Sequence, residues 1–133
     1  MTKIELDPEK VIEAMEGKRV LLVDDNPRTR KDIAALLGSW RSNAHAVHGT
    51  NVVDYRLGDV PYDVCIADVN ASCDVSRVIG SLRTKNPRMI SVVMHPERVE
   101  CDLPNEANAK IKKYGPRETI KATELLSVLG EYL

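Results

Sequence analysis

Val20-Leu21-Leu22-Val23-Asp24-Asp25 is an apolar run that stops at two carboxylates. Val64-Cys65-Ile66-Ala67-Asp68 repeats the pattern, and Ile111-Lys112-Lys113 ends a third stretch on lysines. Leucine and β-branched residues that run without alternation read as strands buried on both faces. In an open parallel sheet, ligands bind at the carboxyl ends of the strands. Acids and a lysine gathered at that edge suit a divalent cation and a phosphoryl group.

The elements around these stretches alternate between strand and helix. Asp7-Pro8-Glu9 has an N-cap acid followed by proline at the first helical position. Leu6 and Val11 have the spacing of a hydrophobic staple, and Gly17 can end this first helix. Arg19 to Val23 follows as a strand. Asn26-Pro27 starts the next helix, in which Ile33, Leu36, Leu37 and Trp40 fall on one face. Arg28, Arg30 and Lys31 fall largely elsewhere and read as solvated. Ala44 to Val47 is a weaker strand, and Thr50 suits the cap of a short helix through Val53 and Leu57. Pro61 breaks the chain before the strand from Val64 to Ala67.

Val75, Val78, Ile79 and Leu82 again have helical spacing. Arg83 and Lys85 suit the dipole at that helix's end, and Asn86-Pro87 stops it. Met89 to Met94 is a further strand. Pro96 and Pro104 leave room for one short helix at most between His95 and Asn108. Ala109 to Lys112 is a poor strand by composition. Pro116 is expected to open a last helix with Ala122, Leu125, Leu126, Leu129 and Leu133 on its apolar face. Such alternation predicts an α/β fold, a five-stranded parallel sheet flanked by helices on both faces. Residues 1–18 read as an N-terminal helical extension and residues 19–133 as the domain proper. Val11, Ile12 and Met15 give the extension an apolar stripe. It suits packing on its own domain or on a second copy of the chain, which leaves a homodimer open.

Composition narrows the function classes. At 133 residues the chain is long enough to bury a real core. With a formal net charge of -1, nothing in bulk electrostatics recommends nucleic acid or an anionic membrane. No apolar run approaches the roughly 20 residues that span a bilayer. Met1-Thr2-Lys3-Ile4-Glu5 lacks the apolar core of a secretion signal, so the cytoplasm is the expected location. Cys65, Cys73 and Cys101 form no C-x-x-C pair and no zinc spacing, and read as reduced thiols. No G-x-G-x-x-G follows the first strand and no phosphate-binding G-x-x-x-x-G-K-[ST] occurs.

Neighbouring strands would bring Asp24, Asp25 and Asp68 close enough to repel, unless one is protonated or a cation binds. Magnesium prefers such carboxylates together with water and phosphate oxygens. Zinc is disfavoured because histidine and cysteine ligands are missing. The plainer alternative is that these acids cap helices or solvate loops. For Lys113 the alternative is a solvated surface lysine, and Lys112 is a second candidate one residue away. His45 and His48 have no acidic partner in sequence and read as surface histidines.

Val20-Leu21-Leu22-Val23-Asp24-Asp25-Asn26-Pro27, with Asp68 after Tyr62-Asp63-Val64-Cys65-Ile66-Ala67, resembles the receiver domain of two-component response regulators. The resemblance covers residues 19 to 133. It implies the flavodoxin-like receiver fold, here with an extra N-terminal helix and a degraded fourth helix. By this resemblance Asp68 matches the phosphoacceptor. Asp24 and Asp25 match the acidic pair that holds Mg2+, and Lys113 matches the lysine that pairs with the phosphoryl group. Asn70 matches the position whose backbone carbonyl also reaches the metal. The implied partner is a histidine kinase or a histidine phosphotransfer protein.

Several positions depart from the family's pattern. Met94 stands where a threonine or serine is usual, and a thioether cannot donate a hydrogen bond to phosphate. His95 replaces the small residue that normally follows. Lys110 occupies the aromatic switch position, and Tyr114 replaces the proline after the lysine. The proline and glycine usual after the acceptor are absent from Val69-Asn70-Ala71-Ser72-Cys73-Asp74. These readings predict a phosphorelay receiver with an atypical switch, accepting phosphate by its own chemistry and performing no metabolic reaction. A pseudo-receiver that only binds partners is the alternative. A magnesium phosphohydrolase is the third reading, and Asp24-Asp25-Asn26 lacks the D-x-D arrangement it would need.

Overall fold

In the computed structural model the chain forms a five-stranded parallel sheet of order β2-β1-β3-β4-β5. The strands are β1 (Arg19–Val23), β2 (Asn43–Val47), β3 (Val64–Asp68), β4 (Ile90–Pro96) and β5 (Ala109–Lys113). The helices are α1 (Pro8–Met15), α2 (Pro27–Ser39), α3 (Val75–Arg83) and α4 (Ala122–Tyr132). A 3-10 helix, Gly49–Tyr55, follows β2. The structure describes residues 7–55, 59–97, 104, 106–115 and 119–133. Leu6, Leu57, Cys101 and Pro116 lie outside them, as does most of the segment expected to carry a degraded fourth helix.

Side-chain alternation on the strands builds one core on each face of the sheet. Val20, Leu22, Val64, Ile66, Val92, Met94 and Ile111 point to one side. There they meet Ile33 and Leu37 of α2, Leu125 and Leu129 of α4, and Val11 and Met15 of α1. Leu21, Val23, Cys65, Ala67 and Val93 point to the other side, against Val75, Val78, Ile79 and Leu82 of α3. A sheet covered on both faces needs apolar residues at consecutive strand positions. That explains the uninterrupted runs in β1 and β3. Burial pushes the Cys65 thiol up to about 12, so it behaves there as a small hydrophobe.

The caps follow the local sequence. Asp7 accepts from Glu9 N at 3.0 Å. Asn26 Oδ1 accepts from Arg28 N at 3.0 Å. Gly17 has φ +75°, the left-handed conformation that lets the chain leave α1 for β1. Of the two packings open for α1, the structure shows the one on its own domain. Met15 is fully buried, and its carbonyl accepts the Ser42 hydroxyl at 2.8 Å. Among the described residues no helix is long and apolar enough to cross a membrane.

The short helix expected after β2 is present as a 3-10 helix. One local expectation needs correction. The last helix starts at Ala122, and before it Tyr114 and Thr119 pair with each other. Tyr114 N donates to Thr119 O at 2.6 Å, and Thr119 N donates back to Tyr114 O at 3.2 Å. That antiparallel bridge requires extended backbone, so the helix cannot begin until it ends. Lys121 Nζ lies 4.3 Å from the Tyr114 ring centre, and the Tyr114 hydroxyl donates to Glu124. Both contacts dock the end of β5 against the start of α4.

Candidate functional site at the carboxyl edge of the sheet

In the order β2-β1-β3-β4-β5 the connection reverses between β1 and β3, which opens a crevice at their carboxyl ends. Asp24 directly follows β1, and Asp68 is the last residue of β3. Lys113 is the last residue of β5, with β4 standing between it and β3. Only a long side chain closes that gap. Lys113 Nζ donates to Asp68 Oδ2 at 2.8 Å and to Asp24 Oδ2 at 2.9 Å. All three side chains are buried.

Each remaining oxygen of the pair accepts a backbone N–H. Asp24 Oδ1 takes Asn26 N at 2.8 Å, and Asp68 Oδ1 takes Asn70 N at 2.9 Å. Arg30 also belongs to this edge rather than to a solvated face, because its Nη1 donates to the Asp24 carbonyl at 2.8 Å. Burial pushes the Asp24 carboxyl up, against the pull of the Asn26 N–H and of Lys113. Burial also opposes the charge on Lys113, but its hydrogen bonds to Asp68 and Asp24 outweigh it and hold the ammonium above its ordinary value.

Asp25 sits apart from this ion cluster. Its Oδ1 accepts from Gly49 N at 2.8 Å. Its Oδ2 accepts from Ser72 N at 2.9 Å and from the Ser72 hydroxyl. His48 Nδ1 is 3.5 Å from Oδ1, an acidic neighbour that the sequence reading of His48 missed. Slight burial works to raise the Asp25 carboxyl, but the Ser72 and Gly49 bonds and His48 outweigh it and leave it lowered.

The edge therefore joins Asp24, Asp68 and Lys113 through side chains and reaches Asn70 through its backbone. Asp25 bonds instead to Gly49 and Ser72, in the loops after β2 and β3. Among the described residues no three acidic, histidine or cysteine side chains converge to hold a metal ion as they stand. Lys112 is exposed. Met94 is fully buried at the register position opposite Asp68, and His95 is buried with its Nδ1 donating to Pro96 O at 3.0 Å. Sequence reasoning missed Ser72, Gly49 and Arg30 as members of the edge. Only the turn-forming composition of residues 69–74 hinted at Ser72.

No protein-family model matches the chain, and no curated protein does. Solved structures match it over most of its length. A response regulator receiver protein from Sinorhizobium medicae WSM419 superposes with a TM-score of 0.68 at 17% identity, covering 88% of this chain and 94% of that one. The receiver domain of a sensor histidine kinase from Pseudomonas aeruginosa PAO1, solved with magnesium in its active-site cleft, gives 0.66 at 22%, covering 87% and 97%. Response regulator TrrA from Thermotoga maritima, solved with Mg2+ and BeF, gives 0.63 at 21%, covering 87% and 99%. The chain has the fold of response-regulator receiver domains, the flavodoxin-like arrangement of a five-stranded parallel sheet between helices.

Proposed function

We propose that this chain is a phosphorelay receiver module whose Asp68 accepts a phosphoryl group from a histidine kinase or histidine phosphotransfer protein. The observation that carries the reading is Lys113 Nζ seated between Asp68 and Asp24, 2.8 and 2.9 Å away. Three strands distant in sequence converge on one buried cation and two carboxylates. Two of the neighbours with this fold were solved with magnesium, which agrees with the reading.

The donor set fits Mg2+ by its chemistry. Asp24, Asp25, Asp68 and the Asn70 carbonyl offer hard oxygens, and no sulfur or imidazole donor belongs to the proposed set. When bound, Mg2+ would neutralise charge on the incoming phosphoryl oxygens. The chain's own residues supply the rest. One Asp68 oxygen attacks the phosphorus of a phosphohistidine, a P–O bond forms and the P–N bond breaks. The imidazole leaves and takes a proton from water. The Asn70 N–H and Lys113 fix the Asp68 carboxylate in one orientation, which lowers the entropy cost of attack. Lys113 is already within hydrogen-bonding reach of Asp68, so it can follow the charge onto the new acyl phosphate.

The β4 end departs from this design. Met94 faces Asp68 in register and offers no donor to a phosphoryl oxygen. Lys110 is exposed. We therefore read the module as one that takes phosphate without the hydroxyl–aromatic coupling of a usual switch. Met94 also favours the second reading, a pseudo-receiver that binds partners independently of phosphate.

Incubation with acetyl phosphate and Mg2+ separates the two. A receiver gains one phosphoryl group, about 80 Da by intact mass, and the Asp68→Asn variant gains none. A pseudo-receiver gains nothing while still binding its partner. Multiple turnover of a phosphoester would overturn both readings.

A further inference from the structure

We infer that Ser72 is a brake on metal binding: it holds Asp25 away from the ion cluster, and its release sets the metal affinity of the edge. The inference rests on the proposed receiver reading, in which Asp25 is a metal ligand.

A carboxylate oxygen offers about two lone-pair sites. The Ser72 N–H and hydroxyl fill both sites on Asp25 Oδ2. Gly49 N fills one site on Oδ1, and His48 stands beside the other. A cation cannot share Oδ2 with two donor hydrogens, because their positive ends face the oxygen it must approach. Metal ligation through Asp25 Oδ2 therefore begins with the loss of a Ser72 bond.

The clamp is tightly built. A Cβ placed on Gly49 would lie 2.5 Å from Ser72 N and 2.9 Å from Asp25 Oδ1. Only glycine lets the loop after β2 approach the loop after β3 this closely. Asp25 thus ties two loops together across the mouth of the crevice. Asp24 and Asp68 meanwhile remain closed on Lys113. This agrees with the absence, among the described residues, of three converging metal-binding side chains.

Ser72 is exposed, so replacing it leaves the core intact. Mg2+ binding to the full chain is measured by calorimetry for wild type, Ser72→Ala and Ser72→Thr. Ser72→Ala keeps the N–H and deletes the hydroxyl. Its affinity for Mg2+ is expected to rise about tenfold, the scale of one hydrogen bond to a charged group. Ser72→Thr keeps the hydroxyl and is expected to bind as wild type does. Tighter binding by Ser72→Ala alone supports the brake, including the case in which wild type binds too weakly to measure. Unchanged or weaker binding by Ser72→Ala overturns it, because Ser72 would then be neutral or would help to orient Asp25. Tighter binding by Ser72→Thr as well as Ser72→Ala also overturns it. If none of the three proteins binds Mg2+, the metal reading itself fails and the brake falls with it.

Discussion

At the carboxyl ends of the strands, one buried lysine is shared by two carboxylates. At the amino ends of β4 and β5, one arginine is shared by neutral groups. Arg83, in the last turn of α3, donates to Ser91 Oγ at 2.8 Å, to Asn108 Oδ1 at 2.7 Å and to the Glu106 carbonyl. Its other partner is the Met89 carbonyl at 3.3 Å. Asn108 Oδ1 also accepts from Ser91 N at 2.8 Å, so this end is closed by neutral hydrogen bonds around one cation. Arg83 staples the entry of β4 to the entry of β5, and no anion is needed. At the Lys113 end each charge depends on the others. Paired buried charge can be reorganised by a new anion or cation, whereas a cation surrounded by carbonyls has nothing to exchange. On the proposed reading, that difference suits the carboxyl edge to chemistry and the amino edge to a structural tie.

Removing one charge at each end gives the sharpest contrast. Lys113→Ala leaves Asp24 and Asp68 buried without their cation, and is expected to cost about 3–5 kcal/mol in urea unfolding. Adding Asp24→Asn and Asp68→Asn to that variant should recover part of the loss. Arg83→Ala should cost less, about 2 kcal/mol, because it leaves carbonyls and amides that water can reach from the half-buried edge. Equal losses at the two ends would break the contrast.

Alkaline pH probes the same pair. The Lys113 pKa is raised in the folded state, so its stabilisation is complete below its ordinary value of 10.5 and is lost as pH rises through the higher folded value. The stability gap between wild type and Lys113→Met should therefore shrink above 10.5. A gap that stays constant through that window would contradict the ion cluster. The smallest effect belongs to Asp25. Its pKa is lowered, so its contribution is present above 3.8 and is lost as pH falls through the folded value. Asp25→Asn should narrow the acid dependence of unfolding slightly, since the group is only partly buried and its bonds lie at the surface.

Much of this was readable in the chain because central strands are buried on both faces. β1 and β3 have no solvent side, so their apolar runs stand out and the acids that end them mark the crevice. β5 is an edge strand, with Lys110 and Lys112 exposed and Ile111 and Lys113 buried. That period-2 pattern favours Lys113 over Lys112. Against the expectation of a continuous apolar run, however, it reads as a poor strand. The Asp25–Ser72–Gly49 clamp was not readable, because it arises where two loops distant in sequence meet. The same holds for Arg83: its position at the end of α3 suggested a helix-dipole partner, and its partners come from β4 and the chain entering β5. The bridge between Tyr114 and Thr119 was hidden because Pro116 reads as a helix start.

The most direct measurement is chemical mapping of the phosphorylated residue. The chain is treated with acetyl phosphate and Mg2+, reduced with borohydride to convert an acyl phosphate into homoserine, digested and read by peptide mass spectrometry. Homoserine is expected at position 68 and at no other aspartate. Homoserine at position 24, 25 or 74 instead, or at none, would contradict it.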